Sequence, residues 1–309
     1  MEKPAFDPGI TQQYVGTLKR ALNIDGQFNV RRTGATWRDA HPYLFLISTS
    51  WPSFAGSLIA AFFAVNLIFT ALYLALGVEH LKGAESRSIS SKILTAFFFS
   101  TDTLTTLGSG SVWPNGVAAN TLAAAEAAAG VAGLAIATSL LFGRFSRPSA
   151  RIGFSQTMVV APYMGGSSLQ FRTVNRRKND VIELEAKVLL MTVEWVEGRH
   201  VRRYFPLELE RERVLFMALT WTIVHPITEG SPLFGKTPEN LASLQAEVMI
   251  MIKGFDETFG QAVYTRRSYR YDEIVWGARF VPAFAVDDEN GELRLELDRV
   301  GDIERIPQV

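Results

Sequence analysis

Two long apolar stretches dominate the first half of the chain. The first, residues 53–78, contains no Asp, Glu, Lys or Arg. The second, residues 116–142, is rich in Ala and Gly, and Glu126 is its single charged residue. As helices, both stretches exceed the roughly 30 Å hydrocarbon core of a bilayer. The pattern predicts two membrane spans, the second packed closely against other helices because small residues permit close approach.

The segment that connects the two spans has an apolar centre of its own, residues 92–107. Residues 93–103 have the length of a short helix that enters the membrane and stops. The polar stretch 106–110 follows, and non-helical backbone at membrane depth is tolerated where it is buried in protein or lines water. Gly108 and Gly110 allow backbone conformations in which successive carbonyls point the same way. The segment therefore predicts a re-entrant pore helix and a carbonyl-lined return.

A stack of carbonyls around an axis can replace the hydration shell of a cation. One hairpin cannot surround an ion, so this interpretation requires several subunits, most simply four. Upstream, residues 39–49 mix apolar residues with a polar start and meet Trp51 and Pro52. This pattern predicts a short helix along the membrane surface with a Trp anchor.

The second half of the chain changes character after Pro148. Residues 181–196 begin with alternating apolar and polar positions, and further strand-like stretches are separated by Pro and Gly. These further stretches are residues 214–224, 247–252 and 261–264. Several short strands without alternating helices suggest a β-sandwich. Thr237 and Pro238 predict the start of a short helix, with Pro at its first position.

Composition narrows the function. The 31 basic and 31 acidic residues cancel, so bulk charge does not indicate a nucleic-acid partner. The chain has no cysteine, and its four histidines are too scattered for a metal motif. We find no Ser-His-Asp order, phosphate loop or paired-carboxylate motif, which argues against an enzyme. The basic cluster at residues 264–270 fits alternation along a strand.

Basic residues flank the N-terminal end of the first span and the C-terminal end of the second. Arg31, Arg32 and Arg38 precede the first span, while Arg144, Arg147 and Arg151 follow the second. The connecting segment carries mixed charges. The positive-inside rule therefore places both termini in the cytoplasm.

Six blocks of sequence, in order, resemble prokaryotic inward-rectifier potassium channels of the KirBac family. The blocks are STSWPSF (48–54), AFFFSTDTLTTLGSG (96–110), GRFSRPSARI (143–152), SPLFGKTPENL (231–241), GFDETFGQAVYTRRSY (254–269) and DEIVWGARF (272–280). The resemblance covers nearly the whole chain. It implies a membrane α-helical two-span pore domain with a re-entrant pore helix, followed by a cytoplasmic immunoglobulin-like β-sandwich.

The same resemblance implies a homotetramer in the bacterial inner membrane, with K⁺ as the permeant ion and no cofactor. It divides the chain into a cytoplasmic N-terminus with a slide helix (1–52), a pore domain (53–148) and a cytoplasmic β domain (149–309). Within the pore domain it makes a selectivity filter of the segment that follows the pore helix. The filter residues are Thr106, Leu107, Gly108, Ser109 and Gly110.

The filter departs from the family pattern, Thr-Val-Gly-Tyr-Gly-Asp, at two side chains. Ser109 stands where the family has an aromatic ring that braces the filter, and Ser111 stands where it has an acid. Both glycines are retained, so the carbonyl frame is retained. We expect a conducting pore that discriminates K⁺ from Na⁺ less sharply than its relatives.

The resemblance also assigns roles around the filter. Glu126 lies behind it, where it can bond the backbone of the pore helix or filter; a carboxyl inside a span costs about 3 kcal/mol by insertion scales, so a role is expected. The alternative is a position near the outer interface, in contact with water. Asp102 corresponds to an acid in the family's pore helix that braces the filter.

Further positions along the second span correspond to the pore and gate. Leu134, Thr138 and Phe142 recur every four residues and share one helix face. Leu134 replaces the acid of strongly rectifying relatives, which predicts weak rectification, and Phe142 corresponds to a hydrophobic gate.

Three arginines that follow the gate, Arg144, Arg147 and Arg151, are candidates for anionic, phosphoinositide-type lipid headgroups. The alternative is that these side chains only set the topology. Two other functions stay open from the sequence: a poorly selective cation channel, and a non-conducting membrane-tethered sensor.

Overall fold

The computed structural model describes residues 7–10, 13–14, 20–31, 33–34, 36, 41–83, 88–146, 151–287 and 291–306. In chain order the helices and strands are β1 (Gln13–Tyr14), α1 (Pro42–Ser48), α2 (Trp51–Leu76), β2 (Leu81–Lys82), α3 (Ile89–Leu104), β3 (Trp113–Pro114), α4 (Val117–Phe145), β4 (Ile152–Phe154), β5 (Met158–Tyr163), β6 (Gly166–Asn175), β7 (Val181–Val196), β8 (Arg199–Pro206), β9 (Arg213–Phe216), β10 (Thr220–Ile227), α5 (Pro238–Ser243), β11 (Glu247–Asp256), β12 (Gln261–Arg270), β13 (Ile274–Trp276), β14 (Ala278–Phe280), β15 (Phe284–Val286), β16 (Leu293–Leu295) and β17 (Ile303–Arg305).

These elements form two compact units. One is helical and comprises Arg32–Arg147. The other joins Met1–Arg31 to Pro148–Val309 and is built of strands.

The helical unit contains two helices that are long and apolar enough to cross a membrane, α2 and α4. Helix α2 starts where Ser50 accepts a hydrogen bond from the Ser53 amide, and it ends at Gly77, whose φ of 105° few other residues adopt. Both predicted spans are confirmed to within three residues at each end. Apolar stretches of this length, with at most one charged residue, leave little choice of helix boundary.

Helix α3 lies between the spans and begins one turn earlier than predicted. The Ser88 hydroxyl accepts a hydrogen bond from the Ser91 amide at 3.2 Å and caps the extra turn. Its polar first turn masked this start in the hydropathy pattern. Helix α1 lies within the predicted surface segment 39–49, whose first two residues are outside the described residues.

The second unit is a sandwich of two sheets. The larger sheet has strand order β1-β8-β7-β11-β12, with β9 paired to β7. The smaller has order β10-β6-β5-β13, with β4 paired to β6, and β13 runs parallel to β5. Side chains from both sheets share one buried core, in which Phe171 of the smaller sheet and Leu184 of the larger one are almost fully enclosed. The predicted β-sandwich is confirmed.

Individual strands were predicted unevenly. Strand β7 has the predicted bounds. The stretch 214–224 was wrong as one strand, because residues 217–219 interrupt it between β9 and β10. Strands β5, β6 and β8 were not predicted. Helix α5 begins as expected at Thr237, which forms a capping box with Asn240.

An N-terminal segment also packs on the sandwich, which the sequence did not reveal. Ala21 and Leu22 contribute to a small core with Met191 and Met249. The buried Glu247 carboxylate accepts hydrogen bonds from the Ala21 amide at 2.9 Å and the Leu22 amide at 3.1 Å. A carboxylate that replaces lost water with two backbone donors can be buried at low cost.

Candidate ion-conduction site

The backbone after α3 adopts an alternating conformation. Thr106, Gly108 and Gly110 have φ values of 58°, 58° and 74°, whereas Leu107 and Ser109 between them lack positive φ. Positive φ at alternate residues is a conformation that glycine adopts readily, and it allows successive carbonyls to face one way. Thr106 adopts this conformation without being glycine, which indicates local strain held by its surroundings.

Asp102 holds this segment through its backbone. Its carbonyl accepts a hydrogen bond from the Leu107 amide at 2.9 Å and a longer one from the Gly108 amide at 3.4 Å. The last turn of α3 therefore fixes the start of the alternating segment.

The Asp102 side chain also contacts the segment. The Ser109 hydroxyl donates a hydrogen bond to Asp102 Oδ2, and the Ser109 and Ser111 hydroxyl oxygens lie 3.1 Å apart. The sequence predicted that Asp102 braces this segment, but gave no partner for it.

Glu126 is completely buried behind α3, so its placement at a wet interface is wrong. The Tyr73 hydroxyl of α2 donates to Glu126 Oε2 at 2.7 Å, and the Ser100 hydroxyl of α3 donates to Oε1. The observed partners are side chains, not the backbone groups suggested by the sequence. One carboxyl group thus joins α2, α3 and α4.

Asn66 extends this polar contact toward the middle of α2. Its side-chain amide donates to Thr101 Oγ1 at 2.8 Å, and its backbone carbonyl accepts from the Thr70 hydroxyl at 2.7 Å. The same carbonyl lies 3.2 Å from Ser100 Oγ, as a second acceptor for that hydroxyl. Sequence reasoning missed these residues. Their signal was the spacing of Asn66, Thr70 and Tyr73, which lie on one face of an otherwise apolar helix.

Gly130 lets α4 approach α3 very closely. A Cβ atom at Gly130 would lie 2.0 Å from the Leu104 carbonyl oxygen, whereas one at Gly133 would meet no atom within 4 Å. The absence of a side chain at Gly130 is therefore a packing requirement.

The outer end of the segment is held by the short β2–β3 pair. Lys82 pairs with Trp113, and a Cβ atom on the neighbouring Gly83 would lie 2.2 Å from the Ser111 carbonyl oxygen. Gly83 has a φ of 86°, so the turn also needs glycine for its conformation.

Three candidate pore residues share one exposed face of α4. Leu134 and Phe142 are 70% and 72% exposed in the single chain, and Thr138 lies between them. Thr138 Oγ1 donates to the Leu134 carbonyl at 2.9 Å. The Thr138 hydroxyl proton is therefore used within the helix. An exposed apolar face on a membrane helix needs lipid, water or another subunit to cover it.

The structure describes two of the three candidate lipid-binding arginines, Arg144 and Arg151. Arg144 Nη1 donates to the Leu46 carbonyl at 2.9 Å and Nη2 donates to the Thr49 carbonyl, so its guanidinium caps the end of α1. It also stacks on Trp51, 4.6 Å from the ring centroid. Arg147 lies outside the described residues, and Arg151 is an exposed residue of the sandwich unit.

One histidine of the sandwich is buried and hydrogen-bonded through both ring nitrogens. His225 is buried, with Nδ1 2.5 Å from the Glu208 carbonyl and Nε2 2.8 Å from Ser231 Oγ. A carbonyl can only accept, so Nδ1 carries the proton and Nε2 accepts from Ser231. Burial lowers the pKa of His225 below its usual value of 6.5. Within the described part of the chain, no group of three or more His, Asp or Glu side chains could hold a metal ion.

Comparison with known proteins decides the family. Residues 152–309 match the family model described as the inward rectifier potassium channel C-terminal domain. The chain is also 37% identical over 288 residues to the inward rectifier potassium channel Kirbac3.1 of Paramagnetospirillum magnetotacticum, covering 92% of this chain and 95% of that protein. The chain belongs to the inward rectifier potassium channel family. Within the family it is of the prokaryotic KirBac type.

Mammalian inward rectifiers are more distant and longer. The chain is 29% identical over 246 residues to the ATP-sensitive inward rectifier potassium channel 12 of Mus musculus, covering 72% of this chain and 56% of that protein. It is 28% identical over 219 residues to the inward rectifier potassium channel 4 of Mesocricetus auratus, covering 67% of this chain and 48% of that protein. The chain thus spans about half the length of these mammalian relatives.

Family membership confirms the predicted fold class, a two-span pore domain with a cytoplasmic β-sandwich. This inward rectifier is a membrane protein and not an enzyme. Among solved structures, the sporulation control protein Spo0M of Bacillus subtilis matches with a TM-score of 0.23 and 12% identity, covering 44% of this chain and 59% of that chain. That value is too low to indicate a common fold.

Proposed function

We propose that this protein is a homotetrameric channel that conducts K⁺ passively across the bacterial inner membrane, with both termini in the cytoplasm. The observation that carries the proposal is the alternating backbone at Thr106, Gly108 and Gly110. Four such segments around an axis would surround a dehydrated cation with the carbonyls of residues 106–109 and the Thr106 hydroxyls. No cofactor is required, because the ion moves down its gradient.

The gate in this proposal is Phe142. Four copies of a large, exposed apolar side chain on α4 can narrow a pore enough to expel water, which stops ion flow. Leu134, eight residues earlier on the same face, offers no charge to a blocking cation, so rectification is weak. The slide helix within residues 1–52 and the β domain of residues 149–309 transmit cytoplasmic signals to the pore domain of residues 53–148.

A poorly selective cation channel is the second candidate, and one observation favours it. Ser109 and Ser111 leave the outer filter without an aromatic ring and without the acid expected from the family pattern. Up to four negative charges that would concentrate cations at the outer mouth are therefore lost.

Anionic lipids are the proposed regulators, acting on the basic residues that follow α4. Arg147 and Arg151 are the main candidates in this proposal. Arg144 is weaker as a lipid ligand, because its guanidinium is already bonded to two carbonyls at the end of α1.

Flux measurements on purified protein in liposomes test the proposal. We expect barium-sensitive Rb⁺ and K⁺ uptake, changed by phosphoinositide-type lipids. A bi-ionic reversal potential then separates the two channel candidates: strong preference for K⁺ contradicts the idea of relaxed selectivity. Absence of flux in every cation gradient and lipid mixture contradicts both channels and favours the membrane-tethered sensor.

A further inference from the structure

The outer half of the candidate filter is tied to α3 by a side-chain hydrogen bond that the family pattern does not contain. We propose that Ser109 and Asp102 together form the brace that sets this filter's width, and so determine its preference between K⁺ and Na⁺. The inference rests on the proposed function, since it concerns the same carbonyl-lined segment. An aromatic residue at position 109 has no hydroxyl at this distance from the backbone, so the contact is specific to this chain's serine.

Asp102 contacts three consecutive residues of the segment. Its carbonyl accepts from the amides of Leu107 and Gly108, and its carboxylate accepts from the Ser109 hydroxyl. A single residue at the end of α3 therefore positions both the inner and the outer part of the segment. Because a hydrogen bond to a charged group is about twice as strong as a neutral one, the Ser109 contact is the strongest side-chain restraint available there.

The other side chains of the segment give no comparable restraint. Among the five filter residues, all of which the structure describes, only the Ser109 side chain forms a hydrogen bond with α3. Leu107 is 71% exposed, so packing within its own chain does not hold it. The glycines have no side chains.

Two close backbone contacts hold the chain on either side of Ser109. At the inner end α3 packs against Gly130 without an intervening side chain, and at the outer end Gly83 lies directly against the Ser111 carbonyl. Among the described filter residues 106–110, the side-chain hydrogen bond to the helix comes from Ser109. Ser111 supports it, because its hydroxyl oxygen is 3.1 Å from that of Ser109.

An open pocket lies beside Asp102. It has a volume of about 440 Å³ and borders Asp102, Ser111, Phe98 and Phe99 in the single chain. Its lining contains no side chain of residues 106–110. Ser109 reaches α3 through its hydrogen bond to the Asp102 carboxylate.

Permeability ratios of the full-length channel in liposome-derived membranes test the inference. We expect Ser109→Ala to lower the K⁺/Na⁺ permeability ratio about threefold, or to one if the wild-type ratio is smaller than that, because a charge-assisted hydrogen bond is lost. Rb⁺ uptake should persist, because the backbone carbonyls remain. Ser109→Thr keeps the hydroxyl and should restore most of the wild-type ratio. Ser57→Ala is the matched control: Ser57 is a half-buried residue of α2 whose hydroxyl donates to the Ser53 carbonyl of the same helix, and the substitution should leave the ratio unchanged.

Asp102→Ala tests the other partner. Since both residues act through one contact, we expect Asp102→Ala and the double variant with Ser109→Ala to give the same low ratio. Asp102→Asn retains an acceptor without charge and should lie between. Size-exclusion chromatography must show the same assembly for every variant compared, and the threonine and asparagine variants provide the test if an alanine variant does not assemble.

The outcomes separate the inference from the proposed function. A wild type that carries no cation flux overturns both. A conducting wild type whose permeability ratio equals that of Ser109→Ala, or a double variant with an additive loss, overturns the brace alone. A threonine variant as unselective as alanine also contradicts it, because the hydroxyl would then have no part.

Discussion

Removing the Glu126 carboxyl alone should destabilise the pore domain more than removing it together with the Tyr73 and Ser100 hydroxyls. In Glu126→Ala the buried Tyr73 hydroxyl loses its acceptor, whereas the Ser100 hydroxyl can turn to the Asn66 carbonyl, 3.2 Å away. An unsatisfied buried donor costs about 1–3 kcal/mol, so the single variant should lose about 1–3 kcal/mol. Adding Tyr73→Phe and Ser100→Ala removes those donors, and we expect the triple variant to recover most of the loss.

The assay is thermal unfolding of the purified protein in one detergent, with size exclusion used to check assembly. Glu126→Gln is the conservative control, because its amide oxygen still accepts one hydrogen bond, and it should fall between wild type and alanine. Interhelical hydrogen bonds in membranes average about 0.6 kcal/mol, so a small effect is the competing expectation. The explanation is refuted if Glu126→Ala has the melting temperature of the wild type, or if the triple variant has a lower melting temperature than Glu126→Ala.

Two further predictions use matched contrasts. Gly130→Ala should lower the melting temperature because its new Cβ would collide with the Leu104 carbonyl, whereas Gly133→Ala should leave it equal or higher, since alanine favours helix; equal losses would contradict the packing argument. Because burial lowers the pKa of His225, the neutral ring is favoured in the folded state, and its stabilisation is complete above pH 6.5 and declines as the pH falls below it. Melting curves from pH 8 to pH 5.5 should show this decline in the wild type and less of it in His225→Asn; identical slopes would exclude His225 as the cause.

The membrane spans were predictable from the sequence because helices surrounded by lipid consist almost entirely of apolar residues. A stretch without charge can satisfy its backbone only as a helix at membrane depth, and this fixes α2 and α4 closely. Strand β7 was predictable for the related reason that one face is buried and the other is wet. Strands β5 and β6 were missed because long buried stretches blur that alternation.

The candidate site was predictable as a backbone pattern and not as a set of contacts. Gly108 and Gly110, singled out by their spacing, adopt the positive φ that glycine allows. The partners of Glu126 come from α2 and α3, and no local pattern connects them. The same holds for Ser109, whose link to Asp102 depends on how the chain turns after α3.

The close approach at Gly130 divides α4 into a clamped portion and a lever arm. Beyond it, a Cβ atom at Gly133 would meet no atom of the described neighbouring elements within 4 Å. The arm from Gly133 to Phe142 is about 13 Å long, so a bend of about 10° carries the Phe142 ring sideways by about 2 Å. In the proposed four-fold assembly, such a bend would change the distance between the Phe142 rings while the clamped portion keeps its contact with α3.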